Sequence, residues 1–160
     1  MRFLYIVIFS VSVYGNTYSQ NTSKLDDSSL LNLIIDYGKT YKGVKYKYGS
    51  CSASNNGFDC SGFINYIFKM AGIELPRSSS EMAIIGDKLD LINIKKGDFL
   101  FFNTLNSGRI SHVGIVSEIN KDKIIMLHVS SSKGVQEIDI LKSDYWYARL
   151  TSVRDVFHDK

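Results

Sequence analysis

Three side chains of this sequence have the types required for nucleophilic catalysis: Cys60, His112 and His128. Cys60 follows Asp59, a preferred N-cap residue, and precedes an apolar run with helical spacing at residues 63–71. The pattern predicts that Cys60 lies in the first turn of a helix, where free backbone N–H groups and the helix dipole stabilise a thiolate. Such a cysteine can have a lowered pKa and act as a nucleophile. The alternative is a buried structural cysteine, because Cys60 shares a helix face with apolar residues of the run.

The two histidines lie in neighbouring β-rich runs, residues 111–119 and 123–130, which read as a hairpin. A three-residue turn at 120–122 places His112 opposite Ser130 and His128 opposite Gly114. Both imidazoles then lie on one face as diagonal neighbours, whereas a shift of one residue would separate them. The alternative is two histidines that are satisfied separately in the core. The third histidine, His158, lies in the tail, where we expect it to be solvated.

These residues fit the arrangement of a nucleophile, a base and a group that orients the base. Cys60 would attack, His112 would take the thiol proton and return it to the leaving group, and His128 would orient the His112 ring. Donors for an oxyanion could be the Cys60 backbone N–H and the hydroxyl of Tyr46 or Tyr48. Zinc is a weaker interpretation, because the sequence has no short C-x-x-C or H-x-x-x-H pair. We therefore predict no metal and no cofactor.

The first residues have the pattern of a secretory signal peptide: a charge at Arg2, an apolar run at residues 3–14 and a small-x-small site at Thr17-Tyr18-Ser19. We expect cleavage after Ser19, with Gly15 as the second choice, and the apolar run is too short to span a bilayer as a mature helix. The protein would then be exported, periplasmic or secreted, without a stable membrane anchor. The alternative is an uncleaved anchor.

The chain has 160 residues and a formal net charge of +3, which falls to +2 when Arg2 is removed. A charge this small does not favour nucleic acid as a partner. The length is that of one domain, and we expect a monomer. Cys51 and Cys60 are the only cysteines. In an exported protein two cysteines suggest a disulfide, which would abolish the nucleophile.

The order of the elements predicts an α+β fold. One helix is expected from Ser28 or Ser29 to Gly43, then the Cys60 helix, then a short helix with a capping box at Ser78 and Glu81. Runs with the properties of strands follow and predict a mainly antiparallel sheet of about five strands: 99–102, 111–119, 123–130, 135–140 and 146–153. We predict a signal peptide at 1–19, a flexible segment at 20–27, the domain at 28–153 and a loose tail at 154–160.

Five short motifs resemble, in order, the NlpC family of cell-wall endopeptidases, which are papain-like cysteine peptidases. They are Asp59-Cys60-Ser61-Gly62-Phe63, Leu75-Pro76-Arg77-Ser78-Ser79, Lys96-Gly97-Asp98-Phe99-Leu100-Phe101-Phe102, Ser111-His112-Val113-Gly114-Ile115-Val116 and Leu127-His128-Val129-Ser130. The resemblance covers residues 30–152 and implies a papain-like fold.

The resemblance also implies a triad of Cys60, His112 and His128 that cleaves peptidoglycan stem peptides, commonly between D-glutamate and the following diamino acid. Asp59 and Ser61 would hold the free amino end of the substrate.

A Tyr-x-x-Gly-Gly element of the family maps to residues 46–50, which nominates Tyr46 over Tyr48 as the oxyanion donor. Arg77 would line the cleft or pin a loop, and Ser111, beside the base, is a further oxyanion or substrate-binding candidate. Trp146 matches an aromatic C-terminal strand of the family. The rival functions are a cell-wall amidase or acyltransferase, and a non-catalytic, disulfide-bonded envelope protein that binds wall peptides or a partner.

Overall fold

The computed structural model describes residues 26–157. The predicted signal peptide, most of the predicted segment 20–27 and His158 lie outside the described residues. The first helix, α1, is Asp27–Lys39. It begins earlier than predicted because Asp26, rather than a serine, is the N-cap, and its carboxylate accepts a hydrogen bond from the Ser29 N–H at 2.6 Å. Asp26 and Asp27 therefore belong to the helix start and not to a flexible segment.

The helix that begins at the nucleophile candidate, α2, is Cys60–Lys69, which confirms the predicted position of Cys60. Asp59 is its N-cap, and its carboxylate accepts from the Gly62 N–H at 2.6 Å. Gly62 has no room for a side chain, because a Cβ there would collide with the Ser50 carbonyl oxygen. The start of α2 is thus held against the preceding two-stranded hairpin, β1 (Cys51–Ser52) and β2 (Gly57–Phe58).

Two further helices have a single turn, and each begins after a serine that caps it. The first, α3 (Ser79–Met82), carries the predicted capping box of Ser78 and Glu81. The second, α4 (Asp144–Tyr147), is capped by Ser143 and includes Trp146. The prediction of a strand from Trp146 onwards is therefore wrong over its first half, because the Ser143 cap starts a helical turn there.

The main sheet has six strands: β3 (Asp87–Leu89), β4 (Phe99–Phe102), β5 (His112–Asn120), β6 (Lys123–Ser130), β7 (Gly134–Asp139) and β8 (Leu150–Asp155). Their order is β3-β8-β4-β5-β6-β7, and every neighbouring pair is antiparallel. The α+β prediction is confirmed. The strand that the sequence did not predict, β3, has three largely solvated residues and no apolar alternation, and it forms by pairing with β8 at the sheet edge.

Side chains that alternate along the strands supply apolar groups to both faces of the sheet. One face packs against α1 and α2 through Phe99, Phe101, Val113, Ile115, Leu127 and Val129. The other face packs against α4 and two short 3-10 turns through Leu100, Phe102, Val116, Met126 and Val153. The sheet is therefore the middle layer, and burial on both faces stabilises it.

The C-terminal strand extends beyond residue 153, where the sequence placed the domain boundary. Asp155 pairs with Asp87 in the sheet, and Val156 and Phe157 pack on the core that contains α2. Residues 154–157 are therefore part of the folded unit and not of a loose tail. No helix within residues 26–157 has the length and apolar character needed to cross a membrane.

Candidate active site

The hairpin that carries the histidines has a different turn from the predicted one. Asn120 pairs with Lys123 across a two-residue turn, which by itself would shift the register by one residue. A β-bulge at Ser117 compensates for this shift, and beyond it Ile115 pairs with Leu127. The predicted register therefore holds at the histidines, although the predicted turn is wrong.

His112 and His128 lie on one face and are joined by a hydrogen bond. His112 Nε2 is 3.0 Å from His128 Nδ1. Gly114, opposite His128, makes this approach possible, because a Cβ at Gly114 would collide with Met126 and come within 3.1 Å of His128 Cβ. The interpretation of two separately satisfied core histidines is therefore wrong.

An aromatic wall encloses the histidine pair. The Trp146 ring centroid lies 4.9 Å from that of His112 and 4.7 Å from that of His128, and Phe102 packs on Trp146 at 5.0 Å. Trp146 is thus a core residue that lies on α4, and not on a strand, and it covers the imidazoles. The sequence gives no local signal for this contact.

Burial makes both imidazoles neutral at rest. His112 is 8% exposed and His128 is 0% exposed. Burial lowers the pKa of His112 to about 4. Burial, with a smaller contribution from the charge of His112, lowers the pKa of His128 to about 3. His112 can therefore accept a proton at neutral pH.

The Cys60 thiol lies against the backbone on both sides of His112. Its Sγ is 4.0 Å from the Ser111 carbonyl oxygen, and the Val113 N–H hydrogen-bonds to the sulfur. Within the described residues no hydrogen bond joins Cys60 to the His112 ring. Because His112 Nε2 bonds to His128, the ring nitrogen left for the thiol is Nδ1. Catalytic hydrogen bonds of this kind often form only with substrate present.

The expected fall in the pKa of Cys60 is not found. Burial of the half-buried thiol raises its pKa, and the charge of Asp59 raises it further. Hydrogen bonds from backbone N–H groups of Val113, Ser61 and Cys60 itself favour the thiolate, but desolvation outweighs them. The resting site thus pairs a neutral thiol with a neutral imidazole.

Asp59 and Ser61 form a closed network with Arg77. The Asp59 carboxylate accepts from Arg77 at 2.6 and 3.1 Å, from the Gly62 N–H at 2.6 Å and from the Ser61 hydroxyl at 3.4 Å. Arg77 also donates to Ser61 Oγ at 3.0 Å. Arg77 thus pins the segment before Cys60, which was one of its two predicted roles. The expected role of Asp59 and Ser61 as holders of a substrate amine stays a prediction, and in this structure the Arg77 guanidinium neutralises the Asp59 carboxylate.

Ser111 turns its hydroxyl away from the thiol. Its Oγ accepts from the Thr104 N–H at 2.9 Å and lies 2.8 Å from Thr104 Oγ1, which fixes the loop after β4. The Ser111 carbonyl, and not its side chain, faces Cys60. The sequence-based assignment of the Ser111 side chain to oxyanion or substrate binding is therefore not supported by its contacts.

The two tyrosines that compete for the oxyanion role have different surroundings. Tyr46 is half-buried and pairs with Phe58 in an isolated bridge. Burial raises its pKa, and negative charge on Cys60 and Asp59 raises it further, so Tyr46 lies within electrostatic reach of the thiol. Its hydroxyl has no hydrogen-bond partner within the described residues. Tyr48 is 87% exposed, so the contacts favour Tyr46.

The two cysteines are free thiols in this structure, and Cys51 is exposed. Within residues 26–157 no group of three or more His, Cys, Asp or Glu side chains is arranged to hold a metal ion. The sequence analysis missed Gln136, whose amide lies 3.2 Å from His128 Nε2. The predicted strand bounds would not have found it, because pairing Ser130 with Val135 places Glu137 opposite His128; Gln136 takes that place because β7 begins one residue earlier, at Gly134.

The chain is similar to a glutamyl hydrolase and to a murein endopeptidase. The gamma-DL-glutamyl hydrolase of Bacillus subtilis (strain 168) is 36% identical over 122 residues, which cover 76% of this chain and 28% of that enzyme. The murein DD-endopeptidase MepS/murein LD-carboxypeptidase of Escherichia coli (strain K12) is 36% identical over 124 residues, 77% of this chain and 61% of that enzyme. The chain thus spans less than two thirds of these relatives.

A crystal structure of a Staphylococcus aureus protein, described as similar to lipoprotein and of the NLP/P60 family, has a TM-score of 0.69 at 30% identity. The match covers 88% of this chain and 45% of the other. It confirms the papain-like fold of this family. Residues 43–155, which include the thiol and both histidines, match the NlpC/P60 family, and the chain belongs to that family.

Proposed function

We propose that the chain is a cysteine endopeptidase that hydrolyses peptide bonds in peptidoglycan stem peptides, at the bond between D-glutamate and the following diamino acid. The observation that carries the proposal is the placement of the Cys60 thiol at a helix start, against the backbone that flanks His112, with His128 bonded to the far side of that ring. The names of the two relatives, a glutamyl hydrolase and a murein endopeptidase, support the substrate class.

The geometry supports a mechanism in which proton transfer accompanies attack, since thiol and imidazole are both neutral at rest. The Cys60 sulfur attacks the scissile carbonyl carbon while His112 Nδ1 takes the thiol proton. His112 then protonates the departing amine, which leaves a thioester on Cys60. Water, deprotonated by His112, hydrolyses the thioester and regenerates the thiol.

Two donors would stabilise the oxyanion that develops during attack. One is the backbone N–H of Cys60 at the start of α2, where helical N–H groups lack partners within the helix. The other is the free hydroxyl of the half-buried Tyr46. The roles of Cys60, His112, His128 and Tyr46 are part of this proposal.

The proposed setting is the cell envelope. We propose that the protein is exported, periplasmic or secreted, through a signal peptide at residues 1–19, and that it acts as a monomer. The substrate class, which lies outside the cytoplasm, supports export, and the small net charge supports the absence of a nucleic-acid partner.

The test is digestion of defined muropeptides under reducing conditions, read by product masses. Wild type and Cys51→Ser should release the fragments expected from cleavage after D-glutamate, and Cys60→Ala should not. Cys51→Ser is the matched control, because it removes the other, exposed thiol. An unchanged digest with wild type, or equal cleavage by Cys60→Ala, would reject the proposal. Fragments cut at the sugar–peptide amide would instead indicate the amidase.

A further inference from the structure

Three hydrogen-bonded side chains form a row across the face of the sheet that packs against α4. His112 on β5 bonds to His128 on β6, and His128 Nε2 lies 3.2 Å from the amide of Gln136 on β7. His128 and Gln136 are directly paired residues of neighbouring strands. His128 is 0% exposed, so the Gln136 amide, and not solvent, satisfies its second nitrogen.

The direction of the hydrogen bonds in this row decides whether His112 can act as a base. A neutral imidazole has one N–H donor and one acceptor nitrogen. A His112 ring that accepts the thiol proton at Nδ1 must carry its own proton on Nε2 and donate it to His128 Nδ1. His128 must then carry its proton on Nε2, which needs an acceptor.

The Gln136 amide can present either an acceptor or a donor to that nitrogen. If the amide oxygen faces His128, it accepts the Nε2 proton and His112 is a base toward Cys60. If the amide NH2 faces His128, every hydrogen bond in the row reverses, and His112 presents an N–H to the thiol. The amide nitrogen lies 3.2 Å from His128 Nε2, and a half-turn of the amide exchanges its nitrogen and oxygen with little change in shape.

We propose that Gln136 is a positioning residue whose amide oxygen holds the His112–His128 pair in the tautomer that can deprotonate Cys60. The inference rests on the proposed function for its consequence in catalysis, but the tautomer itself can be measured without substrate. The same bonds hold the His112 imidazolium that forms during attack, because its Nε2–H still donates to His128.

Few other charges act on this row of hydrogen bonds. Within the described residues, His112 is the titratable group whose charge acts on His128, and Trp146 of α4, which covers both rings, is uncharged. The adjacent Glu137 lies on the other face of β7, where Lys39 at the end of α1 and Lys42 in the following turn pair with it. A carboxylate introduced at position 136 would therefore be the nearest negative charge to His128.

Two substitutions separate the acceptor from the rest of the side chain. Gln136→Leu keeps the bulk and removes the acceptor, and kcat should fall about tenfold to a hundredfold with KM unchanged, because a buried donor loses its partner. Gln136→Glu supplies only acceptors and should keep kcat at neutral pH. It should also shift the acid limb of the kcat/KM profile to higher pH, since a carboxylate beside His128 favours a charged imidazole.

The matched control is Ile138→Val, which shortens an apolar side chain on the same face of β7 and removes none of the three hydrogen-bonded side chains. It should leave kcat and the pH profile unchanged. A merely structural role of Gln136 would give Gln136→Glu the same loss as Gln136→Leu and would overturn the inference.

The decisive measurement is the nitrogen-15 NMR spectrum of the histidine side chains at about pH 7. Wild type and Gln136→Glu should show His112 protonated on Nε2, and Gln136→Leu should show a mixture of tautomers. A wild-type His112 protonated on Nδ1, or an unchanged tautomer in Gln136→Leu, would overturn the inference. The expected tautomers in a protein that cleaves no muropeptide would support the inference and reject only the proposed function.

Discussion

Acid should destabilise this protein through its buried imidazole pair. Burial lowers the pKa of His112 to about 4 and that of His128 to about 3, whereas a histidine in an unfolded chain titrates near about 6.5. Between these values the unfolded state binds protons that the folded state does not. The stability that the neutral pair permits is therefore complete above about pH 6.5 and is lost as the pH falls toward the folded-state values.

The size of the loss follows from the same values. At about pH 5 the protonated form of an unfolded histidine is about thirtyfold more abundant than the neutral form, whereas both folded imidazoles remain mostly neutral. This ratio corresponds to about 2 kcal/mol for each histidine and about 4 kcal/mol for the pair. A loss of this size is a large fraction of the roughly 5–15 kcal/mol by which domains are stable.

Urea unfolding at about pH 8 and about pH 5 measures the effect. Wild type should lose about 4 kcal/mol of unfolding free energy from the pair, and His128→Gln about 2 kcal/mol. The double variant His112→Gln/His128→Gln should show no loss from these positions, since glutamine is neutral at both values. All other titrating groups, including His158, are common to the three proteins and cancel in the comparison.

The refuting result is a double variant that loses as much stability as wild type between the two pH values. The histidines would then take up protons in the folded state as easily as in the unfolded state. That outcome would require water or a negative partner beside the rings, in conflict with their enclosure by Trp146.

Three further outcomes follow from the site. In a Cys51→Ser background, alkylation of Cys60 should have a midpoint above that of an ordinary thiol, because burial raises its pKa; a midpoint near neutrality would contradict this. Tyr46→Phe should lower kcat about a hundredfold with little effect on KM, whereas Tyr48→Phe should be neutral, in assays with muropeptides. Arg77→Ala should cost about 1–2 kcal/mol in urea unfolding by leaving the Asp59 carboxylate without its cationic partner, and Arg77→Lys should restore only part of this free energy.

The sequence predicted those features that depend on residues close together in the chain. The N-cap at Asp59 and the capping box of Ser78 and Glu81 are contacts within three residues, so local patterns reveal them. The network of Asp59 with Arg77 joins residues 18 positions apart. The order of the motifs placed Asp59 and Arg77 near the cleft. Only the fold shows that the Arg77 guanidinium pairs with the carboxylate that was expected to hold a substrate amine.

The pKa of Cys60 shows a different limit of sequence reasoning. A helix start predicts a stabilised thiolate, and the backbone hydrogen bonds that act in this direction are present. Desolvation opposes them, and its size depends on how tightly β5 packs over the sulfur. Packing across sequence-distant elements has no signature in a local motif, so the direction of the shift was predicted wrongly.

The correct face of the histidines results from two differences that cancel: the turn is one residue shorter than predicted, and the bulge at Ser117 adds one residue back. The bulge is fixed by tertiary contacts. Ser117 is 1% exposed, and its hydroxyl donates to Glu137 at 2.6 Å and lies 3.3 Å from the Ile125 carbonyl oxygen. Glu137 is in turn paired with Lys39, the last residue of α1, and with Lys42 in the turn that follows. Because a one-residue slip would carry His112 to the opposite face, we infer that α1, through Glu137, holds the register on which the base depends.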